Sequence, residues 1–202
     1  KAITDSEQRN RAIITKSKAK YRELSERFNK SRGSFGELEE QVSLQFENVA
    51  KRFEAFEIAM EKNLYEEVNA IVKSIDDMLK HLEVVLEELP AILILANDIL
   101  PKRLDEANQT YQQMKSEGYP LDYLNVEYNI EEAKKKITDV MDRSRSLNLE
   151  DCVFELKVLL EYFDGLFDDF EKEKIDRASY EETNNAFKKR LNKINDLVSD
   201  IF

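Results

Sequence analysis

The sequence is short of the residues from which most catalytic and metal sites are built. Among its 202 residues there is one histidine, His81, one cysteine, Cys152, and no tryptophan. A single histidine excludes the two- and three-histidine sets that hold catalytic zinc, and a single cysteine excludes a disulfide within the chain. Neither Gly33 nor Gly36 is followed by the Lys-Ser/Thr pair of a phosphate-binding loop. We therefore expect no enzyme activity, no cofactor and no bound metal.

The remaining pairs of titratable residues have simple interpretations. Asp77 precedes His81 by four residues, a spacing that predicts a surface pair on one helix face far more readily than a catalytic dyad. The acidic doublets lack the alternating ligands of an EF-hand loop, and no Glu-x-x-His motif of a di-iron bundle occurs. A helical-bundle enzyme or metal carrier is therefore the least favoured class of function.

Glycine and proline are scarce too, at four and three residues, while charged residues make up 36% of the chain. This mixture is typical of long solvated helices that each carry one narrow apolar stripe. The net charge of −11 disfavours nucleic acid as a partner, because phosphate binding requires clustered Lys and Arg. No stretch approaches the roughly 20 uncharged residues of a membrane span. Because the chain begins at Lys1, we expect it to be part of a longer protein.

What the sequence does contain is a repeat with a spacing of about 85 residues. The matched residues are apolar and follow helical i, i+3, i+4, i+7 spacing, so the repeating feature is the buried stripe of amphipathic helices. The pairs 84 positions apart are Val42/Val126, Phe46/Ile130, Val49/Ala133, Phe53/Ile137 and Phe56/Val140. The pairs 85 positions apart are Leu64/Leu149, Val68/Val153, Ile71/Leu156, Ile75/Leu160, Met78/Phe163 and Leu82/Phe167. The change in offset predicts one extra residue in the second copy's connecting turn.

The few helix-breaking residues divide the chain into predicted helices. These run over about 4–32, 35–61, from 64 onward, 125–146 and 149–202, with Asn148 as the N-cap of the last. Three alternatives stay open. The first helix continues through Gly33 with a kink, the third kinks or restarts at Pro90 and Pro101, and the last breaks between Ala178 and Asn185.

These helices predict an all-α fold of tandem spectrin-like antiparallel three-helix bundles. The first repeat is expected over 3–88, the second over 89–175, and the residues from 176 to 202 would begin a further repeat. Long shared helices would join the bundles end to end into an elongated rod of roughly 90 Å. The apolar stripes can be covered within each bundle or between chains, so self-association remains an alternative.

Three tyrosines cluster after the break at Gly118. Tyr119, Tyr123 and Tyr128 either pack the turn between two helices or form an exposed aromatic surface able to bind a partner. Packing is the favoured interpretation, and these residues are the only candidate partner site that the sequence offers.

The second repeat resembles the EzrA family of septation ring regulators of Gram-positive bacteria. The resemblance extends over 64–174 and lies in paired Leu-Pro steps, a Tyr-x-x-Met-x-x-Glu-Gly-Tyr-x-Leu-x-x-Leu motif and a later Leu-Phe-x-x-Phe-Glu-x-Glu motif. The residues are Leu89-Pro90, Leu100-Pro101, Tyr111, Met114, Glu117-Gly118-Tyr119, Leu121, Leu124, Leu166-Phe167, Phe170-Glu171 and Glu173.

This resemblance implies a non-enzymatic regulator that negatively modulates assembly and position of the ring formed by the tubulin-like protein FtsZ. It implies partners among FtsZ and other divisome proteins, and a place on the cytoplasmic face of the cell membrane at the division septum. The family's membrane anchor and its Gln-Asn-Arg-type patch are missing from this sequence, so no functional residue is transferred. The alternative is a passive spacer or scaffold rod, with recognition elsewhere in the full-length protein.

Overall fold

A computed structural model describes residues 4–201 of the chain, and all regular secondary structure in that range is helical. This confirms the predicted all-α class. The helices are α1 (Asp5–Lys30), α2 (Glu39–Glu61), α3 (Tyr65–Ile94), α4 (Leu100–Ser116), α5 (Val126–Arg145) and α6 (Cys152–Ile201).

The first helix ends before Gly33, so the alternative of a continuous helix through that residue is wrong. A 3-10 segment over Arg32–Leu38 follows α1, and within it Gly36 has φ +46 and ψ −125, a backbone conformation that side-chain-bearing residues avoid. Phe35 and Leu38 are buried inside this segment, at 0% and 1% exposure. Consequently α2 begins at Glu39, four residues later than predicted.

The two prolines in the middle of the chain are accommodated differently. Helix α3 passes through Pro90 without ending, and it changes only after Ile94, where Leu95–Ile99 form a π-helical turn. Pro101 follows at the second position of α4. Because proline cannot donate to the carbonyl four residues earlier and collides with it, a wider turn directly before Pro101 relieves both problems.

The turn between α5 and α6 is longer than predicted, and Asn148 does not begin the last helix. Leu147 and Asp151 have left-handed backbones, with φ of 59° and 60°, which delays the helix from Leu149 to Cys152. Arg143 braces this turn because its guanidinium donates to the carbonyl of Glu150 at 3.1 Å and pairs with the Glu155 carboxylate. From Cys152 the helix runs to Ile201 without the break considered near 178–185.

The chain separates into two compact units. The first combines the residues up to Ile99 with 135–156, and the second combines 100–134 with the residues from 157 onward. The boundaries at 88 and 175 that the sequence repeat suggests stay a prediction.

In the first unit, α1 runs antiparallel to α2 and parallel to α3. The start of α1 contacts the end of α2, and the end of α1 contacts the first half of α2. Along α3, in contrast, the contacts move toward the C-terminus as they do along α1. These contacts are Arg11–Glu57 (3.6 Å), Phe28–Phe46 (ring centroids 5.3 Å apart), Asn10–Asn69 (3.2 Å) and Lys20–Glu83 (3.0 Å). The arrangement is that of a three-helix bundle.

The second unit has the same directions. Residues later in α4 contact residues later in α6. In contrast, residues later in α5 and in the segment just before it contact residues earlier in α6. These contacts are Arg103–Asp164 (3.3 Å), Arg177 with the carbonyl of Glu117 (2.9 Å), Asn129–Tyr162 (2.6 Å) and Tyr123–Glu173 (2.5 Å). Helix α4 is therefore parallel to α6, and α5 is antiparallel to it.

The buried stripe of α6 corrects the predicted offset. Five buried residues of α3 have a buried counterpart in α6 at 84 positions, the same offset as between α2 and α5. The matched buried pairs are Val68/Cys152, Val72/Leu156, Leu79/Phe163, Leu82/Leu166 and Leu86/Phe170. The turn after each middle helix also agrees at 84, because Leu64 N–H donates to Ala59 and Asn148 N–H donates to Arg143. No residue has been gained in the second turn.

Candidate interaction surface

The loop between α4 and α5 is formed by a glycine-terminated helix end. Gly118 has φ +85, and the N–H groups of Gly118 and Tyr119 donate to the carbonyls of Lys115 and Met114 at 3.0 and 3.1 Å. This pair of bonds is the Schellman motif, which satisfies carbonyls that have no partner inside the helix. Leu121 then inserts into the core at 2% exposure and fixes the loop against the second unit.

Tyr119 lies against α6. The guanidinium carbon of Arg177 is 3.5 Å from the centroid of the Tyr119 ring, within the range of a strong cation–π contact. The same guanidinium donates to the carbonyl of Glu117 at 2.9 Å. Since that carbonyl stands at the negative end of the α4 dipole, a cation is favoured there. Tyr119 therefore contacts α6 through Arg177.

Tyr123 combines an exposed ring with a bonded hydroxyl. Its side chain is 62% exposed, and its hydroxyl donates to the Glu173 carboxylate at 2.5 Å. This hydrogen bond is the main cause that raises the pKa of Tyr123 to about 12, because ionisation would place a phenolate beside Glu173, with Asp169 and Asp176 nearby. Tyr123 therefore stays a neutral donor across the physiological pH range.

Tyr128 lies on α5 and is 67% exposed, more than Tyr123. Its neighbour Asn129 donates to the hydroxyl of Tyr162 at 2.6 Å and to the carbonyl of Leu124 at 3.2 Å, which ties α5 to α6. The structure thus brings Tyr119 and Tyr123 together on α6, through Arg177 and Glu173, while the ring of Tyr128 is presented to solvent from a helix.

The last part of α6 carries an apolar face that no other part of residues 4–201 covers. No residue from Ile175 to Ile201 is buried. The large exposed apolar and aromatic side chains in this stretch are Ile175, Tyr180, Phe187, Leu191, Ile194, Leu197, Val198 and Ile201. Their spacing of three and four residues from Phe187 onward is that of a helix stripe made to pack against another helix.

The two residues considered for chemistry lie apart from this region. His81 is exposed and lines a groove of about 200 Å³ between α2 and α3 with Asp77, Gln45, Val49, Met78 and Leu82, none of which is a nucleophile paired with a base. Cys152 is fully buried, and burial raises the pKa of its thiol. Within 4–201, no three His, Cys, Asp or Glu side chains are grouped so that they could hold a metal ion.

A search for membrane-spanning segments gives a negative finding. Among the described residues, none of the helices combines the length and the apolar character that crossing a bilayer requires.

Comparison with known proteins identifies the family. The family model described as "Septation ring formation regulator, EzrA" matches residues 1–201. The chain is 27% identical over 194 residues to the septation ring formation regulator EzrA of Geobacillus sp. (strain WCH70), which covers 96% of this chain and 34% of that protein. It is 24% identical over 195 residues to the protein of the same name from Staphylococcus epidermidis, with 96% and 35% covered.

No solved structure matches the chain. The chain spans about a third of the length of the curated relatives that it matches. A family match that extends from the first residue to residue 201 agrees with the Leu-Pro and Glu-Gly-Tyr motifs of the second repeat. The chain belongs to the EzrA family of septation ring formation regulators.

Proposed function

We propose that this chain is a rod segment of a membrane-anchored cell-division regulator that negatively modulates the assembly and position of the FtsZ ring. The observation that carries the proposal is the family match over residues 1–201. The fold is in keeping with it, because the described residues form long amphipathic helices whose exposed faces are available to a partner. The proposed location is the cytoplasmic face of the cell membrane at the septum, reached through an anchor outside this sequence.

Direct action on the ring is tested by mixing the purified chain with FtsZ and GTP. Light scattering follows polymer formation, and co-sedimentation measures binding to filaments. The proposal expects binding and a lower polymer yield at saturating chain. Absence of both would favour the alternative, in which the chain is a passive spacer and recognition lies elsewhere in the full-length protein.

The tyrosines after Gly118 are the surface that we propose for partner contact, with Tyr128 as the most accessible of the three. A ring that is 67% exposed on a helix can be buried by a partner at little conformational cost. In the co-sedimentation assay, Tyr128→Ala should weaken binding, while Tyr162→Phe, which removes only the hydroxyl that accepts from Asn129, should leave it unchanged. Equal binding by both variants would place the contact on another face.

We also propose that the units are tandem spectrin-like repeats over 3–88 and 89–175, and that 176–202 opens a further repeat. The exposed apolar face of α6 supports this, because such a stripe requires helices to cover it. Hydrogen exchange of 175–201 should be slower in the full-length protein than in this chain at low concentration. Equal exchange would refute coverage by later residues, and exchange that slows only as concentration rises would indicate self-association instead.

A further inference from the structure

The packed part of α6 ends well before the helix does. Phe170 is the last fully buried residue, at 1% exposure, and no side chain from Ile175 to Ile201 is buried. Helices in proteins owe most of their stability to tertiary packing, and an isolated helix of about 27 residues in water frays from its free end. The helix therefore needs an anchor near the point where its packing stops.

Three contacts supply that anchor, and all come from the loop between α4 and α5. Tyr123 donates to Glu173 at 2.5 Å, the Arg177 guanidinium covers the Tyr119 ring at 3.5 Å, and it also donates to the carbonyl of Glu117 at 2.9 Å. Glu173 and Arg177 are four residues apart, so they share one face of α6. The loop thus holds two successive turns of α6 immediately beyond Phe170.

We propose that the loop over 117–123 is a clamp that keeps α6 helical beyond the end of its packed core. The clamp extends the anchored length of α6 from Phe170 to Arg177, about 10 Å along the helix axis. The helix beyond Arg177 then continues from a fixed turn. Its apolar face therefore keeps a constant orientation relative to the core of the second unit. Without the clamp, fraying would start near Phe170.

Arg177 is the central residue of the clamp because it makes two different contacts. Its stacking on Tyr119 uses the flat face of the guanidinium, while its edge donates to Glu117 at the end of α4. A lysine offers no flat face and only a point charge, so it cannot make both contacts together. Gly118 contributes through its left-handed backbone, which leads the chain from Glu117 into Tyr119.

The first unit holds the corresponding loop by other means. There Phe35 and Leu38 are buried, and α3 remains packed beyond the loop, with Leu89 and Ile92 at 0% exposure. A helix that stays packed needs no polar anchor at that point. The cationic clamp is found in the second unit, where the helix leaves its core.

The clamp is tested by hydrogen exchange of the whole chain, followed by mass spectrometry of peptides from 157–170 and 178–201. Tyr119→Ala should raise exchange in 178–201 by about three- to fivefold, as expected from loss of an exposed cation–π contact, and leave 157–170 unchanged. Tyr119→Phe keeps the ring and should exchange like the parent chain. Tyr128→Ala, which removes a more exposed tyrosine from outside the clamp, should also leave 178–201 unchanged.

Tyr123→Phe provides a second variant that removes one exposed hydrogen bond without touching the core. A smaller rise, confined to 178–201, is expected. Unchanged exchange in 178–201 for both Tyr119→Ala and Tyr123→Phe would overturn the proposal. So would a rise of equal size in 157–170 and 178–201 for Tyr119→Ala together with no change for Tyr123→Phe, because the loop would then only stabilise the unit as a whole.

Discussion

Phe163 offers the most direct test of the buried stripe of α6. Its side chain is 0% exposed, and its ring packs edge-to-face on Tyr162 with centroids 5.0 Å apart. Burying a phenylalanine contributes about 1.5–3 kcal/mol, and the cavity left by truncation brings the cost of Phe→Ala to about 3–5 kcal/mol. We therefore expect Phe163→Ala to lower the free energy of unfolding by about 4 kcal/mol.

Urea denaturation followed by circular dichroism at 222 nm measures this loss. With a slope of about 2 kcal/mol per M, the midpoint of the second unit's transition should fall by about 2 M. Phe187→Ala is the matched control, because that ring belongs to the same unit, is 59% exposed and its removal should cost less than about 0.5 kcal/mol. Equal midpoints for the two variants, or a loss below about 1 kcal/mol for Phe163→Ala, would refute the burial of Phe163 in the core.

Two further predictions concern turns. Arg143→Met should cost about 1–2 kcal/mol at neutral pH, because Glu155 is only 22% exposed and loses its main partner. Burial alone would raise the pKa of Glu155, but hydrogen bonds from Arg143 and Lys136 outweigh it and lower the pKa. The stability that the Glu155 carboxylate contributes is present above its unfolded pKa and is lost as pH falls through its folded pKa. In thermal denaturation, the melting temperatures of the parent chain and the variant should therefore converge in acid. A difference that stays constant with pH would contradict the pairing. Gly36→Ala should cost about 1–2 kcal/mol of unfolding free energy because Gly36 has a positive φ. Gly33 has equally open space around it but no positive φ, so Gly33→Ala should be close to neutral by chemical denaturation. Equal effects of the two substitutions would contradict the assigned backbone.

The stripes of α2 and α5 were predictable because their apolar residues stand alone. Most of the matched apolar positions that begin at Val42 and Val126 are followed by a polar residue, so one offset aligns the two helices best. In α6 the apolar residues occur in adjacent pairs, such as Leu159-Leu160 and Leu166-Phe167. Offsets of 84 and 85 then both match apolar residues, and only burial shows that Leu166 lies in the core.

The clamp could not be predicted from the sequence. Its partners are separated by 50 to 60 residues, and Glu173 and Arg177 resemble the many other exposed charges of a solvated helix. The start of α6 is hard to predict for a related reason. Leu147 and Asp151 have left-handed backbones, which their residue types do not predict. These conformations depend on the burial of Leu147 and Leu149 in the core.

The burial of Cys152 gives the protein a natural reporter of its own opening. Cys152 carries the only thiol in the chain, and its Sγ contacts the carbonyl of Asn148 at 3.6 Å. It is buried where the turn between α5 and α6 meets α6. A thiol reagent can therefore react only while that turn is open. The ratio of its labelling rate to that of a free thiol equals the fraction of time that the turn spends open.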